Sequence, residues 1–117
     1  MMDRKKELKE QYKQMKSEMG VLIIRSSISN KCYLETTANL KGMQNRTEFQ
    51  LDAGLHPNGE LQREWQELGK ENFKLEILDN LEYDKKGLKR DYSKDLAVLK
   101  LLWEERLTQA GKVFYQK

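Results

Sequence analysis

The chain has 117 residues, of which 38% are hydrophobic and 35% are charged, enough to bury one modest core and too few for two. Its 22 basic and 19 acidic residues leave a formal net charge of +3, so any surface for a polyanion must be local. The single cysteine, Cys32, excludes an intramolecular disulfide and is expected to be a small buried apolar residue.

The first 19 residues are predicted to form a leading amphipathic helix. Leu8, Tyr12, Met15 and Met19 recur at steps of four, three and four, which places them on one helical face. The other face mixes basic and acidic residues and is typical of a solvated surface, with a phosphate-facing stripe as the alternative. No stretch has the apolar length of a signal peptide or a membrane span, so we expect a cytoplasmic protein without a membrane partner.

A β-hairpin is predicted from Gly20 to Thr37. Gly20 ends the leading helix, and the run VLIIR that follows it is β-branched and apolar, as in a buried strand. Residues 26–30 have turn chemistry, and residues 31–37 are predicted to form the second strand.

Two helices are predicted after the hairpin. Asn39 is a favourable N-cap for a helix that runs to about Ala53 and ends at Gly54. A shorter helix ends at Gly69, and its apolar residues at helical spacing are Leu61, Trp65 and Leu68. We expect Trp65, like Trp103 further along the chain, to pack in the core.

A third strand and a final helix follow. Phe73, Leu75 and Ile77 alternate with charged residues, as in a half-buried strand. Residues 79–91 are predicted to form an irregular connection. Ser93 is predicted to cap the final helix, whose apolar stripe consists of Leu96, Leu99, Trp103 and Leu107.

These elements predict a mixed α/β fold of the α+β type, with a small three-stranded antiparallel sheet and flanking helices. We expect a leading helix over residues 1–19, a domain over residues 20–110 and a tail over residues 111–117. A sheet this small is expected to leave one face open, and a functional site is expected there.

The order of elements and two tripeptides resemble the GIY-YIG nuclease family. Gly20-Val21-Leu22 lies at the position of the first tripeptide and Tyr33-Leu34-Glu35 at that of the second. The turn Ser29-Asn30-Lys31 resembles the family's Asn-Gly-Lys turn, and residues 56–78 resemble the segment that follows in many members. The resemblance covers residues 20–107 and implies a nuclease-like fold.

The resemblance also implies phosphodiester hydrolysis by two tyrosines, a charge-stabilising arginine and a glutamate that holds one divalent metal. Tyr33 keeps the position of the second tyrosine. The other three positions are replaced, with Leu22 for the first tyrosine, Met43 for the arginine and Lys100 for the glutamate. Leu22 has no proton to exchange, Met43 carries no charge and Lys100 would repel Mg²⁺. We therefore expect a degenerate active site that does not hydrolyse by the family mechanism and has no cofactor.

A shifted active site is the alternative for an enzyme. Arg46 lies three residues after Met43, and Glu104 lies four residues after Lys100, each about one helical turn along. With Tyr33, these residues would form the catalytic cluster of a weak metal-dependent endonuclease in which Glu104 binds Mg²⁺. The structural alternative is that both are ordinary surface charges.

Two further residues belong to this alternative. Glu35 replaces the glycine of the second tripeptide and would add a carboxylate to the cluster. His56, the only histidine, lies where the resemblance places a histidine of some active members, so it is a third catalytic candidate beside Tyr33 and Arg46. A role as a turn or surface residue is its structural alternative.

Two functions without catalysis are also considered. The first is binding of DNA or RNA, for which phosphate contacts would come from Arg25, Lys31, Lys41, Arg46, Arg63 and Lys100. The second is a protein-interaction module, a homo-oligomer in which the apolar stripe of the leading helix packs on another chain.

Overall fold

A computed structural model describes residues 17–84, 86 and 91–116. The strands are β1 (Met19–Ser26), β2 (Lys31–Thr37), β3 (Phe73–Leu81) and β4 (Val113–Phe114). The helices are α1 (Leu40–Ala53), α2 (Gly59–Leu68) and α3 (Ser93–Gln109), and a 3-10 turn, Lys70–Asn72, precedes β3. In this part of the chain, no helix has the length and apolar character that a membrane span requires.

The four strands form one sheet in the order β3-β1-β2-β4. The central strand β1 is antiparallel to both β2 and β3, whereas β4 runs parallel to β2. The predicted three-stranded antiparallel sheet is not confirmed, because the sheet has a fourth strand that runs parallel to its neighbour. The mixed α+β class is right, and β4 was missed because a two-residue strand gives no periodic signal. β4 falls within the predicted tail, and the next residue, Tyr115, donates its N–H to the Cys32 carbonyl at 3.0 Å.

Most of the predicted leading helix lies outside the described residues. Met19, which belongs to its predicted apolar stripe, instead begins β1 and pairs with Leu81 on β3. Met19 is 1% exposed, so its apolar side chain contributes to the core from a strand and not from a helix. The carbonyl of Glu18, just before β1, accepts a hydrogen bond from the N–H of Leu40 at 2.8 Å.

Helices cover both faces of the sheet centre, so the expectation of one open face is wrong there. One face packs against α1 and α2 in a cluster that comprises Ile24, Leu51, Leu61, Trp65, Phe73 and Tyr115. The other face packs against α3 in a cluster that comprises Val21, Ile23, Cys32, Leu34 and Leu107. Cys32 is 1% exposed, as expected of a buried apolar residue, and burial raises the pKa of its thiol.

A side-chain cap marks the beginning of α1 but not that of α3. Asn39 caps α1 as predicted, accepting a hydrogen bond from the N–H of Gly42 at 3.0 Å, and Gly54 ends the helix with φ of 77°. Ser93 does not cap α3, because it is the first helical residue. The Asp91 carboxylate accepts a hydrogen bond from the Ser93 N–H at 3.0 Å.

The main chain of β3 makes a close approach to β1 at Gly20. A bulge shifts the β1–β3 register between Val21 and Leu22 and brings the β3 main chain against Gly20. A Cβ atom added at Gly20 would lie 2.0 Å from the Asp79 carbonyl oxygen. Only glycine fits this approach, so its lack of a side chain sets the spacing of the two strands at this end of the sheet.

Candidate functional site

The candidate site lies on the face of the hairpin that carries Tyr33 and Glu35. In the β1–β2 register Ile24 pairs with Tyr33 and Leu22 pairs with Glu35, so all four side chains share one face. On β3, Ile77 pairs with Leu22 and is 41% exposed. The hairpin therefore holds a phenol and a carboxylate two residues apart, beside a partly exposed apolar residue.

Two cations from different helices act on the Glu35 carboxylate. Burial raises the pKa of Glu35 above its ordinary value, and the positive charges of Lys100 on α3 and Arg46 on α1 partly oppose that increase. Within the described residues neither cation forms an ion pair with Glu35, so both remain available to an anion. One carboxylate and two cations leave an excess of one positive charge at the site.

The geometry of α1 explains how Arg46 reaches Glu35. The buried residues of this helix are Leu40, Thr47 and Leu51. Met43 is offset by about 60° from their line, and Arg46 by about 120° in the same direction, at 3.6 residues per turn. Met43 is therefore half-buried and Arg46 is exposed, although both lie on the same side of α1. The positive charge of Arg46 acts on Glu35 from this side of the helix.

α3 places Lys100 and Glu104 differently. Lys100 is half-buried, next to Leu99, which packs against the sheet. Glu104 accepts a hydrogen bond from the Thr108 hydroxyl at 2.7 Å through its main-chain carbonyl. Among residues 17–84, 86 and 91–116, no hydrogen bond or ion pair joins the Glu104 side chain to the site. Its metal-binding role stays a prediction.

Tyr33 lies against His56, with their rings edge to face and the ring centroids 5.3 Å apart. Burial raises the pKa of Tyr33, and the charge of Glu35 raises it further. The phenol therefore stays protonated at neutral pH. In that state it donates a hydrogen bond to an oxygen anion more readily than it accepts a proton.

His56 is buried, so a surface role is wrong and a role in the turn is right. Its Nδ1 accepts a hydrogen bond from the Asn58 N–H at 3.0 Å, and its own main-chain N–H donates to Gln62 Oε1 at 2.9 Å. Gln62 in turn donates to the Leu51 carbonyl at 2.8 Å, which ties the turn to α1. Burial lowers the pKa of His56, so the imidazole is neutral at neutral pH. Its ring is held by the turn and packs against the ring of Tyr33.

Asn58 and Gln62, which hold this turn, belong to the segment that resembles the family, but sequence reasoning assigned them no role. Asn58 accepts a hydrogen bond from the Leu61 N–H at 3.0 Å and caps α2. Its position three residues before the first apolar residue of α2 is an N-cap signal that could have identified it. Gln62 gives no such signal, because a buried glutamine looks like any other polar helical residue in a sequence.

A divalent metal does not fit the side chains at this site. Lys100, which the resemblance places at the family glutamate, carries a positive charge, and the charges of Lys100 and Arg46 both act on the nearby carboxylate of Glu35. In the part of the chain that the structure describes, no three His, Cys, Asp or Glu side chains come together. Mg²⁺ prefers several oxygen ligands of net negative charge, whereas this cluster has a net positive charge.

The remaining basic candidates do not join the cluster around Glu35. Lys31 forms an ion pair with Glu60, with 2.6 Å between Nζ and Oε1. Arg25 lies on the opposite sheet face, because it alternates with Ile24 along β1. Lys41 on α1 and Arg63 on α2 are exposed, and the charge of Arg63 acts on Lys31 and Glu60 and not on Glu35.

The fold is similar to that of two solved structures. The catalytic domain of the homing endonuclease I-TevI aligns over 85% of this chain and 99% of its own length, with a TM-score of 0.64 and 20% identity. A glutamate-to-alanine mutant of the catalytic domain of the intron endonuclease I-TevI has the same TM-score and identity and is covered over 92% of its length. No family model matches the sequence, and no curated protein matches it. At this identity the similarity establishes the fold alone.

Proposed function

We propose that this chain, which has a GIY-YIG-like fold, is a nuclease-like domain that binds a nucleic-acid phosphate at Arg46 and Lys100 without cutting the strand. The observation that carries the proposal is that the charges of Arg46 and Lys100, neither of which forms an ion pair among the described residues, both act on the half-buried carboxylate of Glu35. The group bound there must be an anion, because the cluster has an excess of positive charge. A phosphodiester supplies one negative charge with oxygens that both cations can contact.

Tyr33 supports the same function. Its raised pKa keeps the phenol protonated, so it can donate a hydrogen bond to a phosphate oxygen beside the two cations. A tyrosine that served as a general base would need a lower pKa, close to the working pH. Leu22, which pairs with Glu35, offers no second phenol. These side chains therefore favour holding a phosphate over activating a water molecule.

Salt-dependent binding tests the proposal. Fluorescence anisotropy with labelled single-stranded, duplex and branched DNA and RNA should detect affinity at low salt that falls steeply as salt increases. Arg46→Ala and Lys100→Ala should each weaken binding to all sequences alike and reduce the slope of log K against log salt by about one. Lys74→Ala, which removes an exposed positive charge from β3, is the matched control and should leave the slope unchanged.

The parallel cleavage assay should detect no product. Supercoiled plasmid incubated with Mg²⁺ or Mn²⁺ should stay intact at protein concentrations that saturate binding. The proposal fails if no nucleic acid binds at low salt, or if binding persists unchanged when both Arg46 and Lys100 are alanine.

A weak metal-dependent endonuclease is the second candidate. The observation that favours it is that Arg46, one turn from the position of the family arginine, does act on Glu35 beside Tyr33. Its metal ligand would be Glu104. Mg²⁺-dependent cleavage by the wild type that is largely lost in Glu104→Ala would favour the enzyme, whereas the first proposal predicts no cleavage by either protein. A buried thiol at Cys32 is consistent with either function in the cytoplasm.

A further inference from the structure

α3 has a second apolar stripe that faces away from the sheet. The side chains of Val98, Leu101 and Leu102 are 56%, 64% and 47% exposed. They lie at steps of three and one, on the side of α3 opposite to Leu96 and Leu107, which are buried. Three large exposed apolar residues on one helical face are typical of a surface that binds another protein.

Charged residues extend the stripe at both ends. Lys94, Val98, Leu101 and Glu105 follow one another at steps of four, three and four, which is the spacing of a helix–helix seam. Lys94 lies in the first turn and Glu105 near the last, and each has the sign that the helix dipole disfavours. Within the described residues, neither forms an ion pair.

The stripe is complementary to itself in the antiparallel direction. Lys94 and Glu105 are equidistant from a midpoint between residues 99 and 100, and so are Val98 and Leu101. A two-fold axis through that midpoint would therefore place Val98 against Leu101 of a second copy and Lys94 against its Glu105. Every contact occurs twice, as in an isologous interface, and the antiparallel dipoles offset each other.

We propose that two copies of this chain associate through α3, packed antiparallel about a two-fold axis between residues 99 and 100. The seam supplies apolar contacts at its centre and an ion pair at each end. A single pair of helices buries less area than a standard stable interface, so we expect a weak dimer whose population depends on protein concentration. The inference is independent of phosphate binding.

Sedimentation velocity of the full chain over a hundredfold concentration range tests the proposal. The wild-type chain should pass from monomer to dimer, and Leu101→Asp should remain a monomer. Lys94→Glu and Glu105→Lys should each weaken the dimer by about tenfold, because each introduces two like-charged pairs. The double variant restores both pairs and should recover the wild-type constant. Lys74→Glu, an exposed reversal on β3, should leave the constant unchanged.

The charge-reversal variants also show whether a second copy of this chain is what packs against the exposed apolar face of α3. A chain that is monomeric at every concentration overturns the proposal, and so does a double variant that stays as weak as the single ones. A chain that dimerises only after residues 1–16 are deleted also overturns it, since the leading segment would then cover α3. Near-UV circular dichroism of each variant should match the wild type, because all substituted side chains are exposed.

Discussion

Leu22 on β1 lies directly opposite Glu35 on β2, so an apolar residue and a carboxylate share the floor of the candidate site. The resemblance to GIY-YIG nucleases implies a tyrosine and a glycine at these two positions. Because Leu22 and Glu35 are paired, both differences change the same part of the candidate site. Leu22 offers no phenol, and Glu35 adds a carboxylate whose pKa the charges of Lys100 and Arg46 lower.

Restoring the family residues should create cleavage. The triple variant Leu22→Tyr, Met43→Arg, Lys100→Glu returns the first phenol, the arginine and the metal ligand to their implied positions. We expect Mg²⁺-dependent nicking of plasmid at least about a hundredfold above the wild-type rate, which is the usual scale of one preorganised electrostatic contact. Adding Tyr33→Phe to the triple variant should abolish the gain. A folded triple variant without activity would contradict the assignment of these positions.

Phosphate binding should strengthen as the pH falls below neutral. The raised pKa of Glu35 means that its carboxylate is neutralised at a higher pH than that of an ordinary glutamate, and each protonation removes a charge that opposes the phosphate. Glu35→Gln should bind more tightly at neutral pH and lose most of this dependence. Burial lowers the pKa of His56 towards the same pH range, so the Glu35→Gln variant is needed to distinguish the two groups. Anisotropy titrations between about pH 4.5 and pH 8 supply the test, which spans the ordinary glutamate and histidine values.

Gly20→Ala should destabilise the protein by about 2–3 kcal/mol, because the new methyl group meets the Asp79 carbonyl and the strands must separate. Gly59→Ala is the matched control. A Cβ atom at Gly59, the first residue of α2, meets nothing within 4 Å, so this change should be close to neutral. Urea denaturation measures both free energies of unfolding, and equal values would show that the close approach does not limit stability.

Tyr115 should make the protein lose stability in strong alkali. Burial raises its pKa from 10.0 to about 12, so the folded state keeps a proton that the unfolded state releases. The resulting stability is fully present below pH 10 and disappears as the pH rises through about 12. Tyr115→Phe should remove most of the alkaline loss and leave smaller ones from Tyr33 and Cys32, whose pKa values are also raised. Thermal unfolding measured in this range for both proteins decides the matter.

The sequence predicted the elements whose signals are local. Asn39 and Gly54 bound α1 as expected, because capping depends on neighbours within one turn. The alternation of Phe73, Leu75 and Ile77 was enough to identify β3. β4 was missed because its two residues are ordered by pairing with β2 and carry no pattern of their own.

The composition of the site was harder to predict, because its side chains come from separate elements. Counting along the chain identified Arg46 and Lys100, but their joint action on Glu35 depends on how α1 and α3 pack against the hairpin. The burial of His56 depends on Asn58 and Gln62, which fold the turn inward. How side chains from separate elements come together depends on tertiary packing, and the spacing of residues along the sequence does not reveal it.

The first and third residues of the tripeptide Gly20-Val21-Leu22 are constrained by different features of the molecule. The glycine answers to the geometry of the neighbouring main chain, and any chain that keeps this strand spacing must keep it. The third residue of the tripeptide, Leu22, pairs with Glu35 at the candidate site, so its side chain answers to what that site binds. A glycine at the first position therefore reports the shape of the hairpin and carries no information about a reaction.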